Sequence, residues 1–222
     1  MIDKNPSITI RRATEPDARF LAKGIIMAGR AHVRRGIWEV ILGGREDECL
    51  DFLRLLAVTG KPHLFHHTRY MIAEVDGKPA GIAGGYDPVS QGQEAMRQAL
   101  PEVMERLGRA PGGLQPSEQT MKVLSCIPED IEGAWVIDSV AVLPEYRRLG
   151  LARRLLGAII DEGRARGFRK AQVCMYIGNT SAQALYVSMG FTVNAEKRCP
   201  DFEAEIGSPG MLSLVQDLTT ES

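Results

Sequence analysis

The chain has little net charge and few aromatic side chains. Lys and Arg total 27 against 28 Asp and Glu, so the formal net charge is -1, and aromatic residues make up 6%. A nearly neutral chain has no global field that attracts nucleic acid or a membrane surface. We therefore expect neither partner, and any affinity for anions must come from a local site.

Cysteine pairs and long apolar runs are also missing. The four cysteines, Cys49, Cys126, Cys174 and Cys199, are widely scattered without CxxC spacing, so we expect free thiols in a reducing compartment. Residues 1–6 have no hydrophobic leader region, and no run approaches a membrane span. These absences predict a cytoplasmic protein.

Two nucleotide-binding fingerprints are absent as well. The chain contains neither GxxxxGK[ST] nor GxGxxG, which disfavours the phosphate-binding domains that those patterns mark. Hydrophobic content of 44% and charged content of 25% are ordinary for a globular protein. A length of 222 residues fits one large domain or one domain with an insertion.

Apolar periodicity predicts alternating strands and helices. Asp76-Gly77 is a strong hairpin signal between strands over 70–75 and 78–86. Strands are also expected over 7–11, 135–142, 171–177, 191–193 and 211–215, and helices from Thr14, over 46–58, from Leu151 to before Gly167, and over 179–189. A polar loop is expected between the last two strands. This order predicts a mixed α/β or α+β sheet with one parallel crossover.

Residues 87–128 differ in texture from the rest of the chain. A helix is expected over 90–107, which Pro101 should break or restart. We interpret this segment as an insertion into a single domain spanning 1–222. Its apolar residues indicate packing against the domain itself or against a second subunit of a homodimer: Met96, Leu100, Val103, Met104 and Leu107.

The stretch from Trp135 to the helix at Leu151 predicts an anion site. The N–H groups of a helix N-terminus lack helical partners, and the helix dipole puts partial positive charge there. A phosphate or pyrophosphate is the natural ligand, and Gly150 and Ala152 are small enough to let it approach. Many such corners bind nothing, so this pattern alone leaves both interpretations open.

A second motif begins at Asn179. Singly, Asn179 is a helix cap, and Tyr186, seven residues on along the same helix face, is a packing residue. Together with the first motif, however, the chain resembles the GNAT superfamily of acyl-CoA-dependent N-acyltransferases. The resemblance rests on Arg-x-x-Gly-x-Ala at 147–152 and on Asn-x-x-Ala-x-x-x-Tyr-x-x-x-Gly-Phe at 179–191. It is sharp over 135–193, fold-level over 8–86 and absent over the insertion.

The resemblance implies a fold and an activity. The fold is a mixed, mostly antiparallel central sheet with helices on both faces and a helical insertion. The activity is N-acetyl transfer from acetyl-CoA to a primary amine of a small molecule or protein. Transfer should be direct, in a ternary complex, because no cysteine is expected beside the thioester. The alternative is a CoA-binding sensor or regulatory module with little catalysis.

The resemblance also implies roles for residues. The backbone of Arg148 to Ala152 would hold the CoA pyrophosphate, and a backbone N–H near Val140 would polarise the thioester carbonyl. Tyr186 would be the general acid, and Asn179 would bond the pantetheine or hold the strand end. The expected cofactor-binding residues are Val140, Ala141, Val142, Arg147, Arg148, Leu149, Gly150, Leu151, Ala152, Asn179 and Tyr186.

Asp138 is the first candidate for the general base. A spacing of two predicts that it shares a strand face with Val140 and Val142. Its alternative is a carboxylate paired with an Arg at the strand end. Glu39, beside Trp38, is a weaker candidate for the base, and Trp38 itself is expected in the core.

Three histidines, His63, His66 and His67, have no cysteine or carboxylate at ligand spacing. We therefore expect no metal. The identity of the amine acceptor has no recognisable pattern in the sequence.

Overall fold

The computed structural model describes residues 6–110 and 112–219. The N-terminal segment expected to lack a leader lies outside the described residues over 1–5, as does Pro111. The seven strands form one sheet in the order β1-β2-β3-β4-β5-β7-β6. They are β1 Ile8–Arg12, β2 Tyr70–Val75, β3 Lys78–Tyr86, β4 Trp135–Val142, β5 Lys170–Tyr176, β6 Thr192–Arg198 and β7 Gly210–Asp217. Of these strand pairs, β4 and β5 run parallel and the others antiparallel, which confirms the predicted mixed, mostly antiparallel sheet.

Helices cover both faces of this sheet. They are α1 Ala18–Arg30, α2 Ile37–Leu42, α3 Glu46–Leu56, α4 Pro88–Gln91, α5 Gln93–Arg106, α6 Glu118–Leu124, α7 Leu151–Ala165, α8 Thr180–Ser188 and α9 Pro200–Ile206. One core, the α1–α3 core, lies between the sheet and α1, α3 and α5. A second, the α7 core, lies between the sheet and α7. Within the described ranges, no helix is both long enough and apolar enough to cross a membrane.

The hairpin of β2 and β3 has the predicted bounds. Asp76 and Gly77 both have positive φ, 50° and 74°, as a two-residue turn matching the twist of the flanking strands requires.

The insertion folds differently from its prediction. Helix α5 continues through Pro101, so the expected break is absent. Proline removes one backbone hydrogen bond from a helix interior, and burial on either side of it offsets that loss: Val103 and Met104 are almost fully buried in the α1–α3 core, and Leu100 packs against it. The apolar face of α5 is therefore covered by its own chain.

Two further expectations were wrong. The segment between β6 and β7 is not a plain polar loop, because Phe202 and Ile206, one helical turn apart, bury the inner face of α9. Cys126 and Cys199 are joined in a disulfide, and only Cys49 and Cys174 are free thiols. The disulfide connects the end of α6 to the residue that caps α9, so the insertion is covalently tied to the last helix.

Helix α7 lies close to the sheet because glycines remove side chains from the contact. A Cβ added at Gly163 of α7 would stand 2.7 Å from Cγ and Cδ1 of Trp135, which is fully buried on β4. A Cβ at Gly157 of the same helix would meet no atom within 4 Å.

This contrast gives a matched pair of stability predictions. Gly163→Ala forces Trp135 or the helix to move and should lower the free energy of unfolding by about 1–3 kcal/mol. Gly157→Ala gains helix propensity without a clash and should raise it by about 0.5–1 kcal/mol. Urea denaturation of both variants measures the two values, and equal effects would contradict the proposed close contact.

Candidate active site

The centre of the sheet opens between β4 and β5. The two strands pair at Trp135 with Ala171, Val136 with Gln172 and Ile137 with Val173. Among the described residues no pair follows these three, so the strands diverge beyond Ile137. The β5-facing edge of β4 from Asp138 onward thus keeps backbone groups available for a ligand.

A β-bulge changes the direction of side chains at this opening. Asp138 pairs with Gly84 and Ala141 with Ile82, so three steps on β4 match two on β3, and Ser139 has φ 54°. Such an extra residue shifts the alternation of side chains. The prediction that Asp138 shares a face with Val140 and Val142 was therefore wrong.

The bulge instead divides the candidates between the two faces. Val140 and Val142 pack with the α7 core, whereas Ala141 packs with the α1–α3 core. By its register Asp138 lies on the same face as Ala141. The expected cofactor strand and the expected base thus approach the opening from opposite sides.

The predicted anion loop has free donors. Arg148 and Gly150 have left-handed backbones, with φ 66° and 72°, and α7 begins directly after them. From Arg148 onward, the first backbone N–H with a backbone acceptor is that of Arg154, which donates to the carbonyl of Gly150 at 3.1 Å. The N–H groups of residues 148–153 have no acceptor within the described part of the chain. This geometry suits an anion.

The second motif begins just after the end of β5, the other strand of the opening. Asn179 caps α8, its Oδ1 accepting from the N–H of Ala182 at 3.3 Å. Tyr186 is 6% exposed and packs edge-on against Phe191. No described group bonds its hydroxyl. Burial raises the pKa of Tyr186, and the charge of Asp138 raises it further, so the phenol stays protonated at neutral pH.

Asp138 is half-buried and has no cationic partner. Its Oδ1 accepts from Oγ of Ser139 at 2.7 Å. No Lys, Arg or His of the described chain lies within ion-pair distance of it, so the alternative of an Arg-paired strand end is absent. Burial raises the pKa of Asp138, which makes its carboxylate a stronger base.

Glu39, the weaker candidate for the base, is engaged elsewhere. One carboxylate oxygen pairs with Arg30, and the other accepts from the N–H of Gly36 at 3.1 Å, which caps α2. Trp38 lies in the α1–α3 core, as expected. Of the two candidates for the base, these contacts leave Asp138 as the one available at the opening.

Sequence reasoning missed three residues beside Asp138. Cys174 occupies the next position of β5 after the last β4–β5 pair, so a cysteine lies at the opening itself. Tyr86 ends β3 and donates from its hydroxyl to Oδ2 of Asp130 at 3.0 Å. Strand alternation could have placed Tyr86 on the face of Asp138, but no pattern marks Asp130, which lies in a loop.

Cys174 carries a protonated thiol. Burial and the charges of Asp130 and Asp138 raise its pKa to about 12. The thiolate, which is the nucleophilic form, is thus scarce at neutral pH.

The three histidines have structural contacts. His63 is fully buried, with Nε2 3.0 Å from Oγ1 of Thr59, and His67 bonds the carbonyl of Ala57 at 2.9 Å. Burial lowers the pKa of His63 and of His66 to about 4. Among described residues, no group of three or more potential metal ligands is present.

Comparison with known proteins identifies a family. The model of the acetyltransferase (GNAT) family matches residues 41–191, more than half of the chain. A curated relative, the ribosomal protein bS18-alanine N-acetyltransferase of Escherichia coli K12, is 43% identical over 53 residues. That match covers 24% of this chain and only 36% of the relative's length.

Solved structures show the same fold. An N-acetyltransferase from Staphylococcus aureus Mu50 aligns over 93% of this chain and 99% of its own, with a TM-score of 0.67 and 20% identity. A Salmonella typhimurium protein, described as an acetyltransferase with its cofactor acetyl-CoA, aligns over 97% and 96%, with a TM-score of 0.51 and 18% identity.

The raised pKa of Asp138 predicts a pH-dependent stability. The native state holds the proton of the Asp138 carboxyl more tightly than the unfolded chain does. The stability that this carboxyl contributes is therefore fully present below about pH 4 and is lost as pH rises through its pKa in the folded state. Asp138→Asn removes that loss while keeping an acceptor for Ser139. At pH 7 the variant should therefore be more stable than the parent, and the difference should vanish in acid, where both states are protonated.

Denaturation curves from pH 3 to 8 measure this effect. Glu132→Gln, which removes an exposed carboxylate, should run parallel to the parent at all pH values. Parallel curves for Asp138→Asn as well would show that burial does not perturb this carboxyl.

Proposed function

The chain belongs to the GNAT acetyltransferase family, and on that premise we propose that it transfers an acetyl group from acetyl-CoA directly to a primary amine of a small molecule or protein. The observation that carries the proposal is the opening between β4 and β5 next to the unpaired N–H groups of residues 148–153. The free β4 edge and a donor-rich loop together fit a long ligand with a pyrophosphate.

The residues that would hold CoA follow from this geometry. The loop from Arg148 to Ala152 would bind the pyrophosphate through its N–H groups, with Arg147 beside it. The free edge of β4 over Val140, Ala141 and Val142 would pair with the pantetheine arm, as an added strand pairs with a sheet edge. Asn179, which holds the start of α8, borders the same opening.

The chemistry requires a neutral amine and a stabilised leaving thiolate. An amine with a pKa near 10.4 is mostly protonated at neutral pH, and Asp138, half-buried and unpaired, would accept its proton. The N–H near Val140 would polarise the carbonyl. Tyr186, kept protonated by its surroundings, would donate a hydrogen bond to the sulfur as the C–S bond breaks.

The protonation of the Cys174 thiol supports direct transfer, even though this cysteine lies at the opening. This thiol lies beside Asp138 but has a pKa of about 12, which leaves little thiolate to attack a thioester. The amine itself is the better nucleophile once Asp138 has deprotonated it.

Removal of the Tyr186 hydroxyl tests the general acid. Tyr186→Phe should lower kcat by about 10²–10⁴-fold, because a positioned proton donor is lost, while the affinity for CoA changes little. Thiol release from acetyl-CoA with a broad amine and peptide panel gives kcat, and calorimetry gives the CoA affinity. Normal turnover by the variant would refute this role. Tight CoA binding by the parent without transfer to any amine would favour a sensor instead.

Replacement of Cys174 tests the route of the acetyl group. Cys174→Ser should retain turnover within a few-fold, since the protonated thiol takes no part in direct transfer. Mass spectrometry of the parent mixed with acetyl-CoA alone should show no acetylated protein. An acetyl adduct that disappears in the variant, together with lost turnover, would establish a covalent route instead.

A further inference from the structure

The sheet face beside Asp138 holds a second carboxylate without a cation. Asp130 lies in the loop before β4 and is half-buried, and its Oδ2 accepts from Tyr86. No ion pair in the described chain involves Asp130 or Asp138. Two half-buried carboxylates thus lie on one face of the sheet at the opening between β4 and β5, a region that we call the cleft, and neither has a cationic partner in the described chain.

A buried glutamine fixes the position of Asp130. The side chain of Gln172 accepts from the N–H of Ile131 at 2.7 Å and donates to the carbonyl of Glu129 at 2.9 Å. Gln172 is fully buried on β5, beside Val136. Gln172 thus binds the residues on both sides of Asp130. These bonds hold Asp130 over the face of the sheet that carries Tyr86 and Asp138.

Tyr70 provides an independent sign of a ligand at this place. Tyr70, Gly84 and Asp138 form one row across β2, β3 and β4. A Cβ at Gly84 would stand 2.9 Å from Cε1 and 3.0 Å from Cζ of Tyr70, so the ring lies across Gly84 toward Asp138. Its hydroxyl is fully buried and has no hydrogen-bond partner among the described residues, so its oxygen keeps lone pairs that can accept from an ammonium.

The surroundings of the two carboxylates are neutral. Burial and Asp138 raise the pKa of Tyr70 and Tyr86 well above the ordinary value, so both phenols remain uncharged. Unpaired buried carboxylates are costly unless a cation joins them, and tyrosine faces attract organic cations as well.

We propose that this cleft selects an amine acceptor that carries a second cationic nitrogen. Asp138 faces the amine that is acetylated, and Asp130 with Tyr86 binds the other ammonium. This inference rests on the proposed acetyl transfer and names the substrate class for the same site.

The register of the strands favours a short acceptor. Asp138 and Val136 are two residues apart on β4, a rise of about 6.6 Å, and Tyr86, which orients Asp130, pairs with Val136. A few methylene groups between the two nitrogens span such a distance, as in short α,ω-diamines.

A matched pair of acceptors tests the second cation. 1,5-Diaminopentane and 5-amino-1-pentanol have the same length and the same reactive amine, but only the diamine has a second ammonium at neutral pH. We expect the kcat/KM of the parent for the diamine to be at least tenfold higher. Asp130→Asn keeps the acceptor oxygen for Tyr86 and should abolish this preference through a higher KM for the diamine, leaving the KM for the aminoalcohol unchanged.

Controls separate the outcomes. Glu132→Gln, an exposed neighbour, should retain the preference, and unchanged CoA affinity shows that Asp130→Asn is folded. Equal use of the two acceptors by the parent, or a preference that persists in Asp130→Asn, overturns the inference. A parent that acetylates no amine at all overturns the proposed function itself. The peptide Ala-Lys-Ala, which also has two cationic nitrogens, shows whether a peptide or a free diamine is preferred.

Discussion

The divergence of β4 from β5 is the constraint on which the site depends. A parallel pair that continued to the end of both strands would satisfy its own backbone groups and leave nothing for a ligand. Here the pairing ends at Ile137 and Val173, and the bulge at Ser139 follows at once. Because the bulge reverses the alternation, one strand presents Val140 and Val142 to the α7 side and Asp138 to the α1 side. The proposed acetyl donor and amine acceptor would therefore approach β4 from different faces.

Local patterns predicted the regular parts of the fold well. The hairpin turn, β4, α7 and α8 depend on turn chemistry, alternation and helix periodicity, which act over a few residues. Pro101 misled the prediction for α5 because packing of Val103 and Met104 outweighs a missing hydrogen bond. Helix α9 was missed because its short apolar face, Phe202 and Ile206, is interrupted by acidic residues. In both cases tertiary burial decided the local structure.

The site was predictable only where its residues belong to motifs. The anion loop and Tyr186 could be proposed because two spaced motifs together resemble a family, although neither motif alone decides its role. The placement of Asp138 failed because a single extra residue in β4 leaves no mark in an alternating apolar run. Cys174, Tyr86 and Asp130 come together through strand pairing and a glutamine contact, across separations that sequence periodicity does not register. The charge balance of the cleft is likewise a property of the folded chain, since each carboxylate looks ordinary in sequence.

The disulfide between Cys126 and Cys199 has a topological consequence. It closes a covalent ring over a separation of 73 residues, and that ring contains β4, the anion loop, α7, β5, α8 and β6. Every residue assigned to the donor or to proton transfer lies on the ring, whereas helices α1 to α3 lie outside it. In the chain-entropy view, such a ring lowers the conformational entropy of the unfolded chain and thereby stabilises the folded state by about 4 kcal/mol. The half of the protein that would bind CoA is thus a closed loop of chain, pre-constrained even when the other half is open.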